Sequence, residues 1–239
     1  VPKNVEIEQA HSVGGILRES ASRDGNAIAI LAPGRPPLTH GALFEQAERI
    51  GGRLRSLGIA AQHRVAVALP HGPEMATGFL SIAAVAGCAP LNPKYHAIEF
   101  EFYLKDLHAS ALVIGQEGNP EAEAAAKNLG IPILPAVRGE CAGAFDLNWA
   151  GRNDTTGDSD WASDRDTAAV AHLRYHGSPE TGPVDGSEPS GLPVKAGGSV
   201  VCTDGVYGVD FFRWMQEFRP RYTAVPTMHL ALDYRSVES

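Results

Sequence analysis

Residues 64–115, RVAVALPHGPEMATGFLSIAAVAGCAPLNPKYHAIEFEFYLKDLHASALVIG, alternate between two kinds of apolar pattern. Short continuous runs, RVAVAL (64–69) and SALVIG (110–115), are the length of buried strands. Between them lie longer segments with helical character. A helix is expected to start at Pro73 and run through PEMATGFLSIAAVAG, apolar almost all round. APLNP (89–93) reads as a strand ending in a proline-bounded turn, and AIEFEFYLKDL (97–107) as a helix, with Ile98, Phe102 and Leu104-Lys105 straddling its faces. Strand and helix in regular alternation predict an α/β layer structure with a largely parallel sheet.

The same alternation extends outward on both sides. SVGGILRESASR (12–23) has the form of a short amphipathic helix that Ser12 can cap. AIAIL (27–31) is strand-like, and Pro33-Gly34 and Pro36-Pro37 mark a turn. Thr39 can cap a longer helix carrying Leu43, Ala47, Ile50, Leu54 and Leu57 at helical spacing, with Gly58 as its stop. Downstream, a helix over 120–129 and a strand at IPIL (131–134) follow, then a strand at TAAVAHL (167–173). GSVVC (198–202), a helix over 208–219 and a strand at YTAVPT (222–227) complete the pattern. Three units are expected: an α/β subdomain over 1–138, a surface connection over 139–166 and an incomplete second α/β subdomain over 167–239.

Composition bounds the function. Hydrophobic residues make up 44% of the 239 residues, enough for a buried core. The net charge of −8 argues against a nucleic-acid partner, which rewards a basic surface. Cys88, Cys141 and Cys202 are far apart and form no C-x-x-C pair, so a reducing, cytoplasmic setting is expected. No apolar run reaches the length of a membrane span, and the N-terminus lacks the form of a signal peptide. The acidic run GDSDWASDRD (157–166) fits no Ca²⁺-loop spacing and is expected to be solvated; no metal site is expected.

From about Val13 to Val113 the sequence resembles the N-terminal domain of the AMP-forming acyl-CoA synthetases of the adenylate-forming superfamily. LTHGALFEQAERIGGRLRSLGI (38–59) resembles that family's helix after the early strand pair, and residues 63–114 resemble its next two strand–helix units. The PLNP turn and the EFEFYLKD helix look closest to the oxalate and medium-chain acyl branch, although Gln62-His63 stand where the family usually has Gly-Asp. The resemblance resumes over 196–232, where YTAVPTMH resembles the strand and turn that wall the acyl pocket. It implies that Val225, Pro226, Thr227, Met228 and His229 line a substrate pocket, with plain core packing as the alternative for Thr227 and Met228. The expected fold is therefore a partial N-terminal domain of the adenylate-forming type, with largely parallel sheets flanked by helices.

The chemistry implied by the resemblance has two steps. A carboxylate attacks the α-phosphate of ATP to give acyl-AMP, and the CoA thiol then displaces AMP; Mg²⁺ accompanies the ATP. The partners implied are thus a small carboxylic acid, ATP and CoA, with fatty acid metabolism as one setting. A Gly/Ser/Thr-rich loop must cradle the phosphates, because backbone N–H groups and hydroxyls act only at close approach. The family writes it T-S-G-T-T-G-x-P-K. Here DTAAVAH ends at His172 and is followed by LRYHGSPET, with Thr181 at the lysine position, so the loop position His172–Gly182 holds no cradle.

Reading from Leu173 one base out of phase restores the loop. Bases two and three of each residue joined to base one of the next permit Ser-Gly-Thr-Thr-Gly-Arg-Pro-Lys, and then Leu-Val-Pro-Leu-Thr-Ala-Arg-Asn-Leu through Ser190. Residues from about Leu173 to about Leu192 therefore read as an out-of-frame translation. The segment between the loop and AGGSVV is also shorter than the family's, and the hinge and C-terminal domain with its late lysine are not found.

Three functions compete. The chain is a fragment or degenerate form of an ATP-dependent acyl-CoA ligase; or a non-catalytic folded remnant that binds or interacts; or a distinct enzyme using His172 and His176 as metal ligands four residues apart. Gly177-Ser178-Pro179 forbids a helix after His176 and weakens the third. Asp164 and Asp166 are expected to turn the chain, and Lys195 lacks a preceding cradle. No catalytic residue is assigned to the sequence as it stands.

Overall fold

The computed structural model describes residues 12–148, Val200–Val201 and Glu217. Among them the elements run α1 Val13–Asp24, β1 Ile28–Leu31, β2 Leu38–Thr39, α2 His40–Ser56, β3 Arg64–Ala68, α3 Pro73–Ala83 and β4 Gly87–Pro90. They continue with α4 Ala97–Asp106, β5 Ala111–Gly115, α5 Pro120–Leu129, β6 Ile133–Arg138, β7 Phe145–Leu147 and β8 Val200–Val201.

The larger sheet has the order β4-β3-β5-β6-β7. Its first four strands are parallel, and β7 pairs antiparallel to β6. The period of two along β3 explains how both faces are covered. Val65 and Val67 join a core with Ile50 and Leu54 of α2 and Ile82 of α3. Ala66 and Ala68 join a second core with Phe100 and Leu104 of α4 and Ala122, Ala125 and Ala126 of α5. β5 repeats the division, with Val113 on the first face and Leu112 and Ile114 on the second. Small alanines on one face of β3 let α4 and α5 approach closely, while branched valines fill the other. Each fully buried Leu, Ile or Phe contributes roughly 1.5–3 kcal/mol, and Phe100, Leu104, Leu112, Leu134 and Ile114 are all in that class.

A smaller sheet of order β2-β1-β8 stands over α1 and α2. β1 is antiparallel to β2 and parallel to β8, with Ile30 opposite Val200 and Leu31 opposite Val201. Leu17, Ile30, Leu43, Leu80 and Val85 form a third core. Val200–Val201, inside GSVVC, form a strand, and Glu217, inside the expected helix over 208–219, is helical.

The predicted caps form. Ser12 Oγ accepts from Gly15 N at 3.1 Å and Thr39 Oγ1 accepts from Ala42 N at 3.2 Å. Two expectations change. α3 stops at Ala83 because Gly87, expected within that helix, instead pairs with Arg64 and opens β4. The stretch expected to be a surface connection from residue 139 begins with ordered chain: Ala142, Phe145 and Leu147 are buried, and Phe145–Leu147 form β7.

Candidate functional site

Open α/β sheets bind ligands outside the carboxyl ends of their strands, where the strand order reverses. Here the reversal falls between β3 and β5, because the chain leaves β3 for α3 on one face and leaves β5 for α5 on the other. The turn after β3 contributes exposed His71 and Gly72, whose φ of 146° precedes Pro73 at the start of α3. The turn after β5 contributes Gln116 and Asn119. Asn119 Oδ1 accepts from Ala122 N at 3.1 Å, capping α5, and its Nδ2 donates to Pro93 O at 2.9 Å. Gln116 Oε1 accepts from Arg138 N at 3.2 Å. Both amides therefore hold turns together. Among the described residues no group of three or more His, Cys, Asp or Glu could hold a metal ion.

The polar chemistry inside the subdomain gathers elsewhere, on residues 139–145. Glu74, 7% exposed on the otherwise apolar α3, pairs with Arg35 from the β1–β2 turn. Its other oxygen lies 3.6 Å from Arg138 Nε. Arg35 also donates to Cys141 O at 2.6 Å and Gly139 O at 2.9 Å. The Gly143 carbonyl accepts from Thr77 Oγ1 at 2.6 Å and Gln46 Nε2 at 3.1 Å, while Gln46 Oε1 accepts from Phe145 N at 3.1 Å. Two guanidiniums thus flank one carboxylate, the charge-assisted arrangement in which such a buried group is best satisfied. This arrangement fastens the segment that links β6 to β7 onto α2, α3 and the β1–β2 turn. The sequence carried a sign of it, since a single carboxylate in an apolar helix needs a cation partner.

Cys88 is fully buried on β4, and burial pushes its thiol far above the ordinary range, so it is an inert packing group. Cys88 and Cys141 are both free thiols. His40 Nε2 and Ser81 Oγ are buried without a hydrogen-bond partner.

The sequence-derived candidates Val225, Pro226, Thr227, Met228 and His229 lie outside the described residues. So does the phosphate-loop position His172–Gly182, together with His176, Asp164, Asp166 and Lys195. Apart from Val200–Val201 and Glu217, the described residues all precede His172 in the chain.

The family described as AMP-binding enzyme matches residues 17–172. The chain belongs to this family. Among relatives of the AMP-binding family, the Humulus lupulus protein named "Probable CoA ligase CCL9" is 32% identical over 181 residues, covering 75% of this chain and 33% of that protein. The Arabidopsis thaliana protein named "Oxalate--CoA ligase" is 36% identical over 118 residues, covering 47% of this chain and 21% of that protein. The chain therefore spans a third or less of the length of these relatives. Among solved structures, apo MatB from Rhodopseudomonas palustris superimposes with a TM-score of 0.50 at 19% identity, over 69% of this chain and 32% of MatB. That likeness shows the fold alone: an α/β domain with a mostly parallel five-stranded sheet flanked by helices, as the sequence predicts. The chain thus shares the AMP-binding family with proteins named as CoA ligases. No described helix is long and apolar enough to cross a membrane.

Proposed function

We propose that the chain derives from an ATP-dependent acyl-CoA ligase that converts a carboxylic acid and ATP to acyl-AMP and then to a CoA thioester. We further propose that residues 173–192 are its phosphate loop and following segment in the wrong reading frame, which leaves the chain as it stands without adenylation chemistry. One observation carries this reading. The family match ends at His172, and the residue that follows is the first of the out-of-phase stretch that decodes to SGTTGRPK. Codon choice leaves part of each triplet free, and eight consecutive matches to the loop are very improbable for a loop that had merely diverged.

The residues present do not fit the phosphates of ATP. LRYHGSPET offers a proline, a glutamate and no lysine where close backbone N–H groups and a positive charge are needed. ATP, Mg²⁺ and CoA therefore belong to the parent enzyme in this proposal, and no reaction step is assigned to this chain. Val225–His229 would line the parent's acyl pocket. A carboxylic acid of the oxalate, medium-chain or fatty type is its substrate class; the Arabidopsis relative, named as an oxalate ligase, supports the first of these. The unpaired thiols fit a reducing compartment, and we place the parent in the cytoplasm.

The second reading, a non-catalytic folded remnant with a binding role, is supported by the three cores formed among the described residues 12–148. The nucleotide sequence around His172 together with the intact mass of the protein separates a genuine shift from an intact frame. ATP–pyrophosphate exchange with oxalate and medium-chain acids should give no signal for the chain as it stands. Exchange above background would overturn the proposal of lost chemistry.

A further inference from the structure

We draw no further inference here: the strongest candidate, the exposed Ile98 and Phe102 one turn apart on the outer face of α4, carries nothing because nothing in the structure shows what covers it.

Discussion

Gly143 offers the sharpest test of how the β6–β7 segment is held. Its φ is +75°, a conformation that costs an ordinary L-residue about 1–2 kcal/mol. A Cβ added there would sit 2.6 Å from Thr77 Cγ2 and 2.9 Å from Pro73 O. The second contact is with backbone inside α3 and cannot swing away, so overpacking adds about 1–3 kcal/mol. Gly143→Ala should therefore destabilise by about 3 kcal/mol in all, which at a urea slope of about 2 kcal/mol/M lowers the midpoint by about 1.5 M. Two companions divide the loss. Gly34→Ala has φ +69° with nothing within 4 Å, so it should show the backbone cost alone. Gly143→Ala with Thr77→Ser removes the methyl but keeps the hydroxyl, and should recover about 1 kcal/mol. Urea unfolding followed by far-UV circular dichroism reads all three. A Gly143→Ala midpoint within about 0.25 M of the parent would refute the reasoning, since that is less than the backbone term alone.

Other perturbations follow from the same packing. Arg35→Ala strips Glu74 of its closest cation and frees two carbonyls, and should cost about 3 kcal/mol by urea unfolding. Replacing Arg35 and Glu74 together by Met and Leu should cost distinctly less; equal losses would show that the pair does not act as a unit. Cys88 should resist thiol-directed labelling in the folded protein while Cys141 reacts, with labelled peptides read by mass spectrometry. Because the folded thiol titrates above the unfolded one, the unfolded chain loses its proton first. Stability should then fall above about pH 8.5, by up to about 1.4 kcal/mol per pH unit, and Cys88→Ala should remove that slope. Phe100→Ala, at a fully buried site under α4, should destabilise by about 3–5 kcal/mol; a loss under 1 kcal/mol would contradict its place in the core.

The fold was legible where the physics is local. Ser12 and Thr39 announce helix starts because their oxygens satisfy orphan N–H groups a turn away, whatever the rest of the chain does. The strands around Val65–Val67 and Leu112–Ile114 are short apolar runs bounded by turn signals, and both form. The boundary between α3 and β4 was not legible, since SIAAVAG is buried on every side and carries no period. There the strand begins at Gly87 because Arg64 supplies a partner, a fact about the tertiary fold. β7 was hidden for the same reason: FDL is three residues long and acquires its register from Ala136–Arg138. The candidate site was legible as chemistry more than as position. The phosphate-loop position was read from the genetic code alone, and His172–Gly182 lie outside the described residues. The Arg35–Glu74–Arg138 cluster needed coordinates, because its members are brought together from three separate elements.

The pairing of β1 with β8 has a consequence for the order in which this chain matures. Every described strand of the larger sheet lies before Asn148, whereas Ile30 meets its parallel partner only after residues 149–199 have been made. Domains generally fold N-terminal first during synthesis, at about 5–20 residues per second. The larger sheet can thus close before its smaller neighbour, whose parallel edge waits for Val200–Val201. What remains in suspense is one edge of β1, a row of unpaired backbone groups waiting on a two-residue strand. The smaller sheet is therefore the last part of the described fold to close.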